Sequence, residues 1–137
     1  MSCIASAAWS ALQRMRDGDA SYGDAATVGA GLPVLSTLRR LRECGDRILA
    51  IEGVFSGSLS WLFNRFDGSR PFSALLREAR AWGFTEPDPR IDLQGVDVAR
   101  KLLILARSAG RDLEPAQVER HGLVPQCLQE ASQGGFL

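Results

Sequence analysis

The stretch TEPDPR at residues 85–90 limits the fold more than any other part of the chain. Pro87 and Pro89 stand two apart. Each lacks a backbone N–H, and each pushes the residue before it away from helical dihedrals. The segment is therefore extended or turn-like, and it holds Glu86 and Asp88 on a stiff backbone. A helix follows over about Asp97–Ala109, with Val98, Leu102, Ile104 and Leu105 as its buried residues and Gly110 as its stop. Asp97 and Lys101 lie four apart on it and share a face.

The rest of the chain reads as alternating helix and breaker. Residues 5–16 have helical composition, with Ala8, Leu12 and Met15 in register. A polar loop precedes GAGLP at 29–33, a tight bend of exposed backbone. An amphipathic helix starts at Val34 and stops at Gly45. RILAIEGVFS at 47–56 reads as a central strand, apolar on both faces. A helix begins near Ser58, another carries Leu75, Leu76 and Ala79, and VERHGLVP at 118–125 suits a short strand. The expected class is α+β, with helices packed on a small mixed β-sheet.

Charge excludes some functions. Lys plus Arg and Asp plus Glu number 16 each, so no single-sign field points to nucleic acid or an anionic membrane. No apolar run reaches the roughly 20 residues that a membrane span needs. Cys3, Cys44 and Cys127 fit neither a disulfide framework nor a zinc site, so free thiols in a reducing cytoplasm are expected. Neither G-x-G-x-x-G nor G-x-x-x-x-G-K-[ST] is present, and GAGLP lacks the third glycine.

Two readings of the charged residues stand side by side. Asp97 and Lys101 can form an exposed ion pair worth about 0.2–0.5 kcal/mol. But Lys101 is the only lysine in the chain and is followed by LLILA, which places it at the edge of apolar packing. There it can serve as a proton donor or acceptor. Glu86 and Asp88 can be a solvated acidic turn, or rigid acids that hold a cationic or hydroxylated substrate. His121 sits beside Gly122, outside any acidic or cysteine-rich cluster, and the tryptophans at 9, 61 and 82 read as packing residues.

Four segments carry a family resemblance: ATVGAGLPV, GDRILAIEGVFSGSLSWLFNRFDGSRPFS, GFTEPDPRIDLQGVDVARKLLILAR and LVP. Together they resemble the catalytic domain of homoserine dehydrogenases, above all the dehydrogenase half of the bifunctional aspartokinase/homoserine dehydrogenases. The resemblance divides the chain into a divergent helix and loop at 1–24, a partial catalytic (substrate and dimerisation) domain at 25–127, and a frayed tail at 128–137.

It implies interconversion of L-homoserine and L-aspartate 4-semialdehyde with NADP or NAD, in threonine and methionine biosynthesis. It implies that Lys101 and Asp97 are catalytic, with Lys101 moving the proton. Glu86, Asp92, Ser56 and Gly57 would border the substrate. Gly29, Ala30 and Gly31 would lie near the cofactor, and the carbonyls of Val28, Ala30 and Leu32 would line a monovalent-cation site, for example for sodium. Two positions depart from the pattern: Ile91 replaces the first aspartate of an Asp-Asp pair, and Ala25 stands where many relatives carry a cation-holding glutamate. The family's dinucleotide domain has no counterpart in this sequence, so a partner chain carrying that domain is expected, or else a homo-oligomer formed by pairing of open sheet edges or through the family's sheet-mediated dimer. The alternative is a non-catalytic truncated remnant or association module.

Overall fold

A computed structural model describes residues 6–18 and 23–136. These divide into two compact units. One comprises residues up to Phe55 together with Ala99–Glu119, and the other comprises Ser56–Val98 and Arg120–Leu137.

The first unit contains α1 (Ser6–Asp17), α2 (Val34–Glu43) and most of the longest helix. Val28, Leu35, Leu38 and Leu105 form its core, with Val34, Ile48, Ile51, Phe55 and Ile104 packed against them. Leu35 and Leu38 fall one turn apart on α2, so one face is apolar while Arg40 and Arg42 occupy its last turn, where cations favour the helix dipole. The second unit contains α3 (Gly57–Arg65), α4 (Phe72–Ala81), the single turn α5 (Arg90–Leu93), α7 (Gln126–Gln129) and α8 (Gln133–Phe136). Leu62, Leu75, Leu76, Ala79, Leu93 and Val124 are its core. Helix α6 (Val96–Ser108) supplies residues to both units. It ends at Gly110, whose φ of 88° is a left-handed conformation that suits a residue without a Cβ.

The expected sheet is not found. Among the described residues no strand is present, and the elements are helical. Residues 46–56 carry no regular structure until Ser56 caps α3. Their inward contacts come from Ile48, Ile51 and Phe55, spaced by three and four rather than two. Leu49 and Val54 remain 75% and 78% exposed. The physical reason is that a strand is stabilised by ladder bonds and cross-strand pairs, not by its own sequence. Without a neighbouring strand, this segment's apolar side chains settle on helices instead. The second expected strand, 118–125, is tied to α5 by the Leu123 N–H, which donates to the Leu93 carbonyl at 2.9 Å.

Candidate functional site

In the second unit the Pro-rich loop and the start of α3 are joined through Asp92. Ser56 is the N-cap of α3: its backbone is extended, and its Oγ accepts the Leu59 N–H at 3.2 Å. Ser58, one residue into the helix, donates to Asp92 Oδ1 at 2.7 Å. The other carboxylate oxygen, Oδ2, accepts the Glu86 N–H at 2.9 Å. Ser56 Oγ lies 3.2 Å from Ser58 Oγ. Ser56, Asp92 and the backbone of Glu86 are thus brought together, and Gly57 is the first residue of α3.

The loop then closes on itself. The N–H groups of Arg90 Nε and Nη2 donate to both oxygens of Asp88, at 2.7–3.1 Å. Arg90 Nη1 donates to the carbonyls of Gln129 and Ala131 at 3.0 and 2.6 Å, tying the loop to the end of α7 and the residues just after it. Its donation to the Asp88 carboxylate raises the Arg90 pKa above its ordinary value. Pro89 is buried at the head of α5, and Ile91, at the departure from the family pattern, is 45% exposed.

In the first unit Lys101 is half-buried, and its Nζ donates to the Phe55 carbonyl at 2.9 Å. Asp97, in the part of α6 that belongs to the second unit, is exposed in the first turn of the helix. The bend at Gly29–Gly31 is in the first unit. Leu32 N–H bonds the Gly29 carbonyl and Val34 N–H bonds the Leu32 carbonyl, at 2.9 and 2.8 Å. Gly29 has φ 83°, and a Cβ there would meet Val34 Cγ2 at 2.9 Å, so the position admits only glycine without a shift. Ala30 is itself left-handed at φ 51°. Gly29, Ala30, Gly31 and Leu32 are exposed, while Val28 is buried.

The proposed cation ligands are three neutral carbonyls. Leu32's carbonyl already accepts the Val34 N–H. The nearby carboxylate, Asp24, is buried and committed to a two-pronged bond with Arg39 at 2.9 and 3.1 Å. Ala25 offers no oxygen from its side chain. Among the described residues no group of three or more acids, histidines or cysteines could hold a metal. The donor set fits only a weakly held monovalent cation, since hard divalent ions draw on carboxylates.

A polar cleft of about 660 Å³ also opens in this unit, lined by Trp9, Arg39, Arg42 and Arg107 among others. Three of its guanidinium groups are engaged by protein: Arg39 by Asp24, Arg42 by the Ser108 carbonyl, Arg107 by the Leu113 carbonyl. The last two of these bonds tie down the α6 C-terminus.

Sequence reasoning missed Ser58 and Arg90. The Asp88-x-Arg90 spacing is a visible local pair. Ser58 gives no local signal, because its partner lies 34 residues away.

Residues 33–134 match the sequence model of the family described as homoserine dehydrogenase. That is most of the chain, and the chain belongs to this family. It is 61% identical over 111 residues to the bifunctional aspartokinase/homoserine dehydrogenase 2 of Escherichia coli K12, covering 81% of this chain and 14% of that protein. It is 57% identical over 107 residues to a chloroplastic bifunctional enzyme of Zea mays, covering 78% of this chain and 12% of that one. The homoserine dehydrogenase of Saccharomyces cerevisiae is 43% identical over 128 residues, covering 90% of this chain and 36% of the yeast protein. In three dimensions a Candida auris protein of unknown function superposes with a TM-score of 0.84 at 40% identity, over 95% of this chain and 38% of that one. The chain therefore spans about an eighth of the bifunctional relatives' length and about a third of the yeast relative's. No helix among the described residues is long and apolar enough to cross a membrane.

Proposed function

We propose that this chain carries the substrate side of a homoserine dehydrogenase active site, interconverting L-homoserine and L-aspartate 4-semialdehyde, in the cytoplasm or its organellar equivalent. The observation that carries this reading is Lys101. The chain's only lysine is half-buried, with Nζ held 2.9 Å from the Phe55 carbonyl. A fixed, partly desolvated amine suits proton transfer far better than a mobile surface one.

In the reductive direction the Lys101 ammonium gives a proton to the aldehyde oxygen as it becomes the hydroxyl. In the oxidative direction the amine takes that proton back. Asp97, one turn away on α6, supplies a negative charge on the same helix face. Glu86 and Asp97 bind and orient the substrate's amine and hydroxyl ends, and Asp92, Ser56 and Gly57 border the substrate. NAD or NADP, when bound, would accept the hydride in the oxidative direction, and its reduced form would supply it in the reductive one. The exposed bend at Gly29–Gly31 is where its nicotinamide end would approach, and the carbonyls of Val28, Ala30 and Leu32 are the candidate cation ligands. The dinucleotide itself would be held by residues outside these 137, in the same polypeptide or in a partner.

Two measurements test this. The purified chain alone, given homoserine with NADP or NAD, should show no turnover, because positioning of the reactants is worth about 7–11 kcal/mol of the barrier. Placed in the Escherichia coli enzyme in exchange for the matching stretch, it should restore dehydrogenase activity. There Lys101→Ala should lower kcat by about 10²–10⁴-fold, the usual contribution of a general acid–base group. An exchanged enzyme indifferent to that substitution sinks the assignment.

The second reading is an association module. Exposed Leu49 and Val54 in a segment without ladder partners favour it. Light scattering on the chain, before and after Leu49→Lys, decides between a monomer and assembly through this segment.

A further inference from the structure

We infer that Ser58 is a positioning residue that fixes the Glu86 loop through Asp92. The substrate role of that loop rests on the function proposed above. The clasp itself is carried by the second unit alone.

The hydrogen bonds have a direction. Asp92 only accepts when ionised. The Ser58 O–H is therefore committed to Asp92 Oδ1, at the short 2.7 Å expected of a hydroxyl on a carboxylate. With its own proton spent, Ser58 Oγ can only accept from Ser56 Oγ, 3.2 Å away. Ser56 Oγ accepts in turn from the Leu59 N–H. Donors thus run from the first turn of α3 toward Asp92, and the Glu86 N–H reaches it from the other side at 2.9 Å. Aligned bonds of this kind polarise one another. Both carboxylate oxygens are occupied, so the group cannot turn about its terminal bond without losing a partner.

Glu86 depends on this tie. It precedes Pro87, which restricts its backbone to extended conformations, and no helix or ladder holds it. Downstream the loop is anchored by Arg90 on Asp88. Upstream the anchor is Asp92. Removing the Ser58 hydroxyl leaves Oδ1 without it, and the carboxylate becomes free to swing away from the Glu86 amide. Threonine would keep the hydroxyl at the same position. Alanine would not.

The test is hydrogen exchange by NMR on the whole chain. In Ser58→Ala the Glu86 amide should exchange roughly tenfold faster, about the worth of one hydrogen bond, while the amides of Leu75 and Ala79 on α4 stay protected. Ser58→Thr should restore protection. If Ser58→Ala does not fold, Asp92→Asn carries the test. An amide side chain has one acceptor oxygen for two donors, so Glu86 should again exchange faster. Unchanged Glu86 protection in the alanine variant, or no rescue by threonine, overturns the inference. A homoserine titration of the same samples separates the two readings. Homoserine-induced shifts at Glu86 that weaken in Ser58→Ala and return in Ser58→Thr support positioning of a substrate ligand. Complete indifference of the wild-type chain to homoserine, with the Glu86 amide still dependent on Ser58, overturns the substrate assignment and leaves the clasp intact.

Discussion

Residues 85–95 and residues 46–56 both flank candidate site residues, and they are stabilised in opposite ways. The first stretch closes its polar groups within a few residues. Asp88 takes Arg90, Asp92 takes the Glu86 N–H, and the Leu93 N–H returns to the Pro89 carbonyl at 3.0 Å. The second stretch has an apolar sequence fit for a sheet, yet among the described residues no ladder bond joins it to another segment. Before Ser56, its tie to the candidate site is the Phe55 carbonyl, which accepts from Lys101. Local closure makes a segment rigid wherever it is placed. A strand's order belongs to its neighbours.

The largest expected effect tests that contrast with one kind of substitution in each stretch. Leu93 is 5% exposed and sits in the core of its unit, whereas Leu49 is 75% exposed. Leu93→Ala should cost about 2–5 kcal/mol, enough to unfold much of a small chain, because it deletes buried methyl groups and leaves a cavity. Leu49→Ala should stay within about 0.5 kcal/mol. Thermal melts of the two variants provide the check. A comparable loss in both would mean that residues 46–56 are buried in solution, by assembly or by a further part of the polypeptide.

A smaller effect is expected at Arg90, which holds Asp88 and two carbonyls, one at the end of α7 and one just beyond it, at once. Lysine keeps the charge but has no planar fork to serve a carboxylate and two carbonyls together. Arg90→Lys should therefore release the segment around Gln126–Phe136 before the rest of the unit, seen as earlier proteolytic cutting near Leu128 while α3 and α4 stay intact. Loss of all structure together would show that the loop and the unit fold as one cooperative block.

The same distinction decides what the sequence could reveal. Helices α2, α3, α4 and α6 were legible because apolar spacing, Gly45 and Gly110 as stops and Ser56 beside the start of α3 are all local signals. The Pro-rich loop was legible as non-helical for the same reason, although the single turn α5 after Pro89 was hidden by the prolines themselves. The strand expected at 47–56 is not found, because an apolar run on both faces says nothing about whether a partner lies beside it. For the candidate site, Glu86, Asp97 and Lys101 were visible from residue type and spacing. The role of Asp92 as a clasp, and Ser58 altogether, needed contacts across 34 residues.

The smallest effect isolates local closure from packing altogether. In the FDGSRP turn, Asp67 Oδ1 accepts the Ser69 N–H at 2.9 Å. Hydrogen bonds from Ser69, side chain first and then backbone, hold the Asp67 carboxyl below its ordinary range. The sign follows directly. A carboxyl depressed in the folded chain contributes stability that is fully present above its unfolded pKa, near 3.8, and is lost as the pH falls through the lower folded value. The contribution should thus be constant through neutral pH and fade only below about 4. The Ser69 amide signal, followed by NMR from pH 6 to pH 2, should move with an apparent pKa under 3.8 and should lose that transition in Asp67→Asn. A midpoint at or above 3.8 would mean that the turn is open in solution. Sequence-local bonds alone would then be too weak to order an exposed turn, and the rigidity of residues 85–95 would have to come from the buried Leu93 and Pro89 rather than from their own hydrogen bonds.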